Sequence, residues 1–119
     1  MEWDVEGTNE FDQWFDGLTE EERDAVIRVV DMLEADGPDL KFPQTSDIRR
    51  SRHSKMRELR IQHAGRPYRV LYAFDPRRTA ILLLGGDKTG DSRWYERNIP
   101  IADRLYDVYL RELEEEGLI

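Results

Sequence analysis

The chain has 119 residues, of which 39% are hydrophobic and 37% charged, with a formal net charge of -8. That length fits one domain, residues 1–119, built around a single core, and the polar composition argues for a soluble protein. The lack of cysteine excludes disulfides and thiolate metal sites, and no apolar run approaches the ~20 residues of a membrane span.

The opening MEWDVEGTNE is acidic where a secretory signal would be basic and then apolar, so a cytoplasmic protein without a membrane partner is expected. Within it, EWDV has the alternation of a short first strand. Thr8 or Asn9 can cap a short helix whose Phe11, Trp14 and Phe15 form one aromatic stripe, read as core, with Gly17 ending it. Thr19 followed three residues later by Glu22 is a capping box. Val26, Val29, Val30 and Leu33 then mark an amphipathic helix that stops at the DGP of residues 36–38. The two segments make a helical hairpin.

Residues 37–54 read as a long, partly extended loop. RELRIQ, YRVLYAF and TAILLLGG follow as three strands, separated by the turn sequences HAGRP and DPRR. Ile81 to Leu84 is apolar without alternation, as in a strand covered on both faces. After SRWYERNIP, the segment IADRLYDVYLRELEEE puts Ala102, Leu105, Tyr106, Tyr109 and Leu113 on one face of a terminal helix. The reading is an α+β fold, β-α-α-β-β-β-α, with a small antiparallel sheet.

Charge is segregated along this order. Residues 1–40 carry 14 acidic and 2 basic side chains, residues 41–78 carry 3 acidic and 11 basic, and residues 79–119 carry 9 acidic and 5 basic. A basic middle on an acidic body offers one attractive patch for a polyanion while the other faces repel it. A solvated charge pattern is the plainer reading.

The series MRELR, YRVLY, an apolar strand and a lysine-bearing loop before a terminal helix resembles the RelE/HigB superfamily. These are the small toxins of bacterial type II toxin–antitoxin modules, and the similarity is to the HigB-like, phage-derived branch. The resemblance implies a RelE-like fold and a ribosome-dependent mRNA endonuclease that uses no metal or other cofactor. It also implies silencing by a cognate antitoxin, a small helix-turn-helix protein encoded next door, with mRNA and the ribosome as further partners. By position, Arg60 matches the basic residue of the first meander strand, Arg69 the arginine of the YR motif, and Lys88 the basic loop. Tyr95 stands in for the tyrosine that some relatives keep near the chain end. A gyrase-poisoning toxin of the ParE type shares the fold, and a non-catalytic binding module could use the same patch.

Internal transesterification of RNA needs a base for the 2′-OH, an acid for the 5′-oxygen and cations for the phosphorane. Arginine is too basic to take a proton near neutral pH, which makes Arg60 and Arg69 phosphate clamps. Lys88 is a clamp, a proton carrier, or a solvated residue paired with Asp87 or Asp91. His53 sits in the basic run RRSRHSK, surroundings that favour a neutral imidazole able to act as a base; otherwise it is a surface histidine, as His63 is. Arg49, Arg50, Arg52 and Arg57 offer phosphate contacts or a solvated loop. Trp94, beside Arg93, either stacks on a base or packs the last helix on the sheet. A four-residue turn at His63–Arg66 sets Arg60 opposite Arg69, an arrangement suited to two guanidiniums meeting one anion. The alternative register sets Glu58 opposite Arg69 instead.

Overall fold

The computed structural model describes residues 2–119, which run β1 (Val5–Gly7), α1 (Asn9–Asp16), α2 (Glu20–Asp36), β2 (Thr45–Asp47), β3 (Arg57–His63), β4 (Arg66–Phe74), β5 (Ala80–Asp87) and α3 (Trp94–Glu115). Both N-caps fall where the sequence placed them. The Thr8 hydroxyl accepts from the Phe11 N–H at 3.0 Å, and Thr19 and Glu22 form the reciprocal box at 2.8 and 3.2 Å. Each cap satisfies N–H groups that the first helical turn leaves without a partner.

The central hairpin has the register expected for the four-residue turn. Leu59 faces Val70, Ile61 faces Tyr68, and Arg60 faces Arg69. Ala64 and Gly65 carry positive φ of 50° and 74°, the geometry of a two-residue turn whose twist matches that of the strands it joins.

The sheet has five strands in the order β1-β5-β4-β3-β2, and it departs from the expected small antiparallel sheet in two ways. First, β1 pairs with β5 in parallel, two to three residues later than EWDV suggested, because the Thr8 hydroxyl and N–H both donate to β5 carbonyls. Second, part of the expected loop becomes β2 on the β3 edge. There the Thr45 hydroxyl, fully buried, bonds the Glu58 carbonyl at 2.7 Å and meets the Tyr72 hydroxyl at 2.8 Å.

Helices cover both faces. Phe11, Val26, Leu33, Leu59, Ile61, Tyr68, Val70 and Leu82 form one core under α1 and α2. Met56, Leu71, Ala73, Ile81, Leu83, Trp94, Ile99 and Tyr106 form the other under α3. Strand β5 therefore contributes apolar side chains to both, as its unbroken hydrophobic run required. Helix α3 begins two turns before the expected Ile101, with Pro100 inside it and exposed. A proline there removes one helical bond. Burial of Trp94 and Ile99 on the sheet holds the first two turns in place regardless.

Candidate functional site

On the α3 side of the sheet, β3 presents Glu58 and Arg60, and β4 presents Arg69 directly across from Arg60. Two like charges so opposed destabilise a sheet unless a counter-charge lies between them. Glu58 does. It is 4% exposed, its carboxylate lies 3.5 Å from Arg60 Nη1 and 3.4 Å from Arg69 Nε, and it accepts from the Ser46 hydroxyl. The two arginines thus converge on an anion, as the register implied, but that anion belongs to the protein.

Helix α3 supplies the next member. The Tyr95 hydroxyl donates to Glu58 Oε1 at 2.5 Å and accepts from Arg69 Nε at 3.1 Å. Burial, and then the bond to Glu58, push the Tyr95 phenol above its ordinary pKa, so it keeps its proton at neutral pH and can donate it. Lys88, in the loop after β5, places its Nζ 5.7 Å from the centre of the Tyr95 ring, close enough for a cation–π contact. Among the described residues Lys88 makes no ion pair; Asp87 engages Arg66 and Thr89, and Asp91 engages Arg97. Arg69 is only 5% exposed and also donates to the Tyr68 carbonyl at 3.0 Å. It is a wall of the site rather than an open clamp.

A cleft of about 400 Å³ opens beside this cluster, with Glu58 and Tyr95 inside and Arg49, Arg50, Ser92 and Glu96 around it. Arg49 and Arg50 are exposed. The other expected contacts are engaged elsewhere. Arg52 lies 2.5 Å from Asp107, and its N–H donates to buried Asp103. His53 contacts Asp107 at 2.8 Å and stands edge-on to Tyr106, so an acid adjoins it where the sequence offered only bases. Ser51 bonds Asp103 at 2.5 Å, which completes a latch fastening the basic loop to α3. Arg57 Nε lies 3.1 Å from Asp47, and Arg93 makes a two-toothed pair with Glu96 at 3.0 and 3.1 Å. Trp94 is 5% exposed and belongs to the core, so its ring is not free to stack on a base. The reason is Gly86: a Cβ there would lie 2.5 Å from the indole, and its absence makes the seat.

Glu58 and Ser46 were missing from the sequence-derived site. The signal was present, since period two puts Glu58 and Arg60 on one face of β3. Among the described residues no three histidine or carboxylate side chains come together to hold a metal, and no helix is long and apolar enough to cross a membrane.

Residues 13–107 match the family described as phage derived protein Gp49-like (DUF891). The chain is 45% identical over 100 residues to HigB3 of Mycobacterium tuberculosis, named as a candidate toxin, which covers 83% of this chain and 86% of that protein. It is 39% identical over 104 residues to HigB2 of the same organism, named in the same way. That match covers 86% of this chain and 52% of HigB2, so the chain spans about half of HigB2's length. Among solved structures, a chain of the RelBE2 toxin–antitoxin complex of M. tuberculosis superposes with a TM-score of 0.55 at 18% identity, covering 73% of this chain and 99% of the other. A chain of the archaeal RelE–RelB complex from Pyrococcus horikoshii superposes with a TM-score of 0.54 at 17% identity, covering 74% and 97%. At these identities the solved chains share the fold.

Proposed function

Since this chain belongs to the phage-derived Gp49-like family and is a RelE/HigB-type toxin, we propose that it is a ribosome-dependent mRNA endonuclease acting by internal transesterification. The ribose 2′-oxygen forms a bond to the adjacent phosphorus, the bond from phosphorus to the 5′-oxygen breaks, and a cyclic phosphate and a 5′-hydroxyl result. What supports the reading is the convergence of Arg60, Arg69 and Tyr95 on Glu58, with Lys88 over the Tyr95 ring.

In this assignment the substrate phosphate displaces part of the Glu58 carboxylate from Arg60, which then holds the added charge of the phosphorane. Arg69 stays behind it as the wall of the site and keeps Tyr95 and Glu58 in place. Glu58, freed of one partner, accepts the 2′-OH proton, and Tyr95 gives its proton to the departing 5′-oxygen. Lys88 adds positive charge beside Tyr95, and Arg49 and Arg50 hold flanking phosphates. Primer extension on cellular mRNA after expression in bacteria tests this. Codon-phased cuts by the wild type, lost in Tyr95→Phe and Arg69→Ala, are expected; cuts that persist in both variants, or wild-type chains that make none, overturn it.

A cognate antitoxin, a small helix-turn-helix protein encoded adjacently, is the proposed partner in the cytoplasm. Co-expression with the neighbouring gene and affinity purification should recover the pair. A second reading has one observation in its favour: Glu58 already fills the place of the anion, as it would in a binding module that never cuts. That reading gives no mRNA cuts and no growth defect.

A further inference from the structure

The basic loop borders two clefts. Beyond the one beside Tyr95 lies a larger cleft of about 660 Å³, which shares Asp47, Ile48 and Arg49 with the first. Its other walls include Lys55, Arg57 and Phe74. Lys55 and Phe74 then line a third cleft of about 470 Å³ that ends at Arg78. The three adjoin in a row, and each neighbouring pair shares a cation, Arg49 and then Lys55.

The charge along this row is strongly one-sided. Arg49, Lys55 and Arg78 are exposed and, among the described residues, make no ion pair. The acids present do not offset them. Asp47 is engaged with Arg57, and the Asp75 carboxylate is buried against Arg77 and Tyr109. The Arg57 Nε–H is buried and makes no hydrogen bond, although Asp47 Oδ1 lies 3.1 Å away. Phe74, half-buried and packed edge-on against Trp3 and Tyr72, lines the clefts between the cations. Arg78 is itself stacked 4.6 Å over Trp3, which fixes its position. Cations spaced along a groove with an aromatic surface between them match the needs of a single nucleic-acid strand, whose phosphates and bases alternate.

We propose that the second and third clefts form a subsite for single-stranded RNA, holding the nucleotides that lead away from the Glu58–Tyr95 cleft. Arg49 grips the strand where it crosses between clefts, Lys55 holds the next phosphate, a base rests on Phe74, and Arg78 closes the far end. The proposal rests on the reading of the chain as an RNA-cutting toxin, and extends it from the cut bond to the strand beside it.

The test uses wild-type protein and 2′-O-methyl oligouridines, which keep phosphates and bases but lack the attacking hydroxyl, so binding is read without cleavage. Fluorescence anisotropy compares an octamer with a dinucleotide, the latter too short to leave the first cleft. The octamer should bind more tightly. Lys55→Glu combined with Arg78→Glu, both on the surface, should weaken octamer binding by about tenfold or more. The salt slope should fall by about 1 for each cation removed, with dinucleotide binding unchanged. Equal octamer affinity in wild type and variant overturns the subsite and leaves the cutting reading intact. So does an oligoglutamate octamer that binds as tightly as RNA and responds equally to the variant, since the row would then read a protein's acidity. Retained octamer binding with no mRNA cleavage in cells overturns the cutting reading alone.

Discussion

Glu58 holds together a pair of arginines that a sheet would otherwise keep apart, and it does so from a position shielded from water. Glu58→Gln leaves Arg60 and Arg69 opposed without a counter-charge and should lower unfolding free energy by about 3 kcal/mol, read by urea denaturation. Added phosphate should then raise the melting temperature of the variant more than that of the wild type, because an external anion can take the vacated charge. An equal response in both would mean that the arginines do not open to an anion. A second carboxylate is tuned on the other face. Hydrogen bonds from the Tyr68 hydroxyl, and then from the Thr19 N–H, hold Glu22 near a pKa of about 2, while burial and the same contact push Tyr68 up to about 12. Glu22 has a depressed folded pKa, so its contribution is present above its unfolded value of 4.5 and is lost as pH falls towards about 2. Tyr68 has a raised one, so its contribution is present below 10.0 and is lost as pH rises through about 12. Tyr68→Phe should therefore flatten both limbs of a melting-temperature profile, and an unchanged acid limb would count against the contact. At this scale the sequence showed the arginine pair and its register, because both follow from period two and the turn. It could not show that Asp103 and Asp107 take up Arg52 and His53, since those partners lie about fifty positions away and meet only when α3 docks.

At the level of elements, α1, α2 and the three meander strands were legible because each carries its own local signal: a cap, an apolar stripe at helical spacing, alternation between turns, or, in β5, an unbroken apolar run. The elements misread are those whose stability is tertiary. Strand β2 has three residues and forms because Thr45 bonds β3, and β1 pairs with β5 only after the chain has made a circuit of the sheet. The early start of α3 hides behind Pro100, a residue that normally ends such a reading. Its explanation lies in a neighbouring strand. Gly85 and Gly86 leave the end of β5 bare, so Trp14 packs on one face and Trp94 on the other; a Cβ would come within 2.2 and 2.5 Å of the two indoles. Gly85→Ala and Gly86→Ala should each destabilise by about 1–3 kcal/mol, as overpacked sites do. In a chain of 119 residues that is a fall in melting temperature of several degrees. Gly86→Ala should in addition displace Tyr95, the neighbour of Trp94, and lower cleavage, whereas Gly85→Ala should spare it. Equal loss of cleavage in both variants would separate the tryptophan seat from the site.

Across the whole molecule, charge is uneven although each face of the sheet carries acids, those of α3 including Asp103 and Asp107 against Arg52 and His53. Helices α1 and α2 take up most of the 14 acids of residues 1–40 and cover one face, while the arginine cluster and the basic loop lie towards the other. The net charge of -8 therefore understates how the chain meets a polyanion: attraction exists over one side, and repulsion over the acidic layer turns away strands that approach wrongly. Such steering acts on the encounter rather than on the bound contacts, so it should appear in association rates and fade as salt shortens the reach of charge to ~10 Å at 0.1 M. Replacing exposed acids of the helical layer, Glu20, Glu21, Asp24 and Asp31, by their amides leaves the cleft untouched. Stopped-flow binding of an oligonucleotide should then show faster overall association at low salt, with the same dissociation rate from the cleft. A non-cleaving population bound to the helical face should also emerge, visible as a second, salt-labile phase. If the rates and phases of the variant match those of the wild type at every ionic strength, the acidic layer does not steer, and the segregation of charge along the sequence is a pattern of solvated surface.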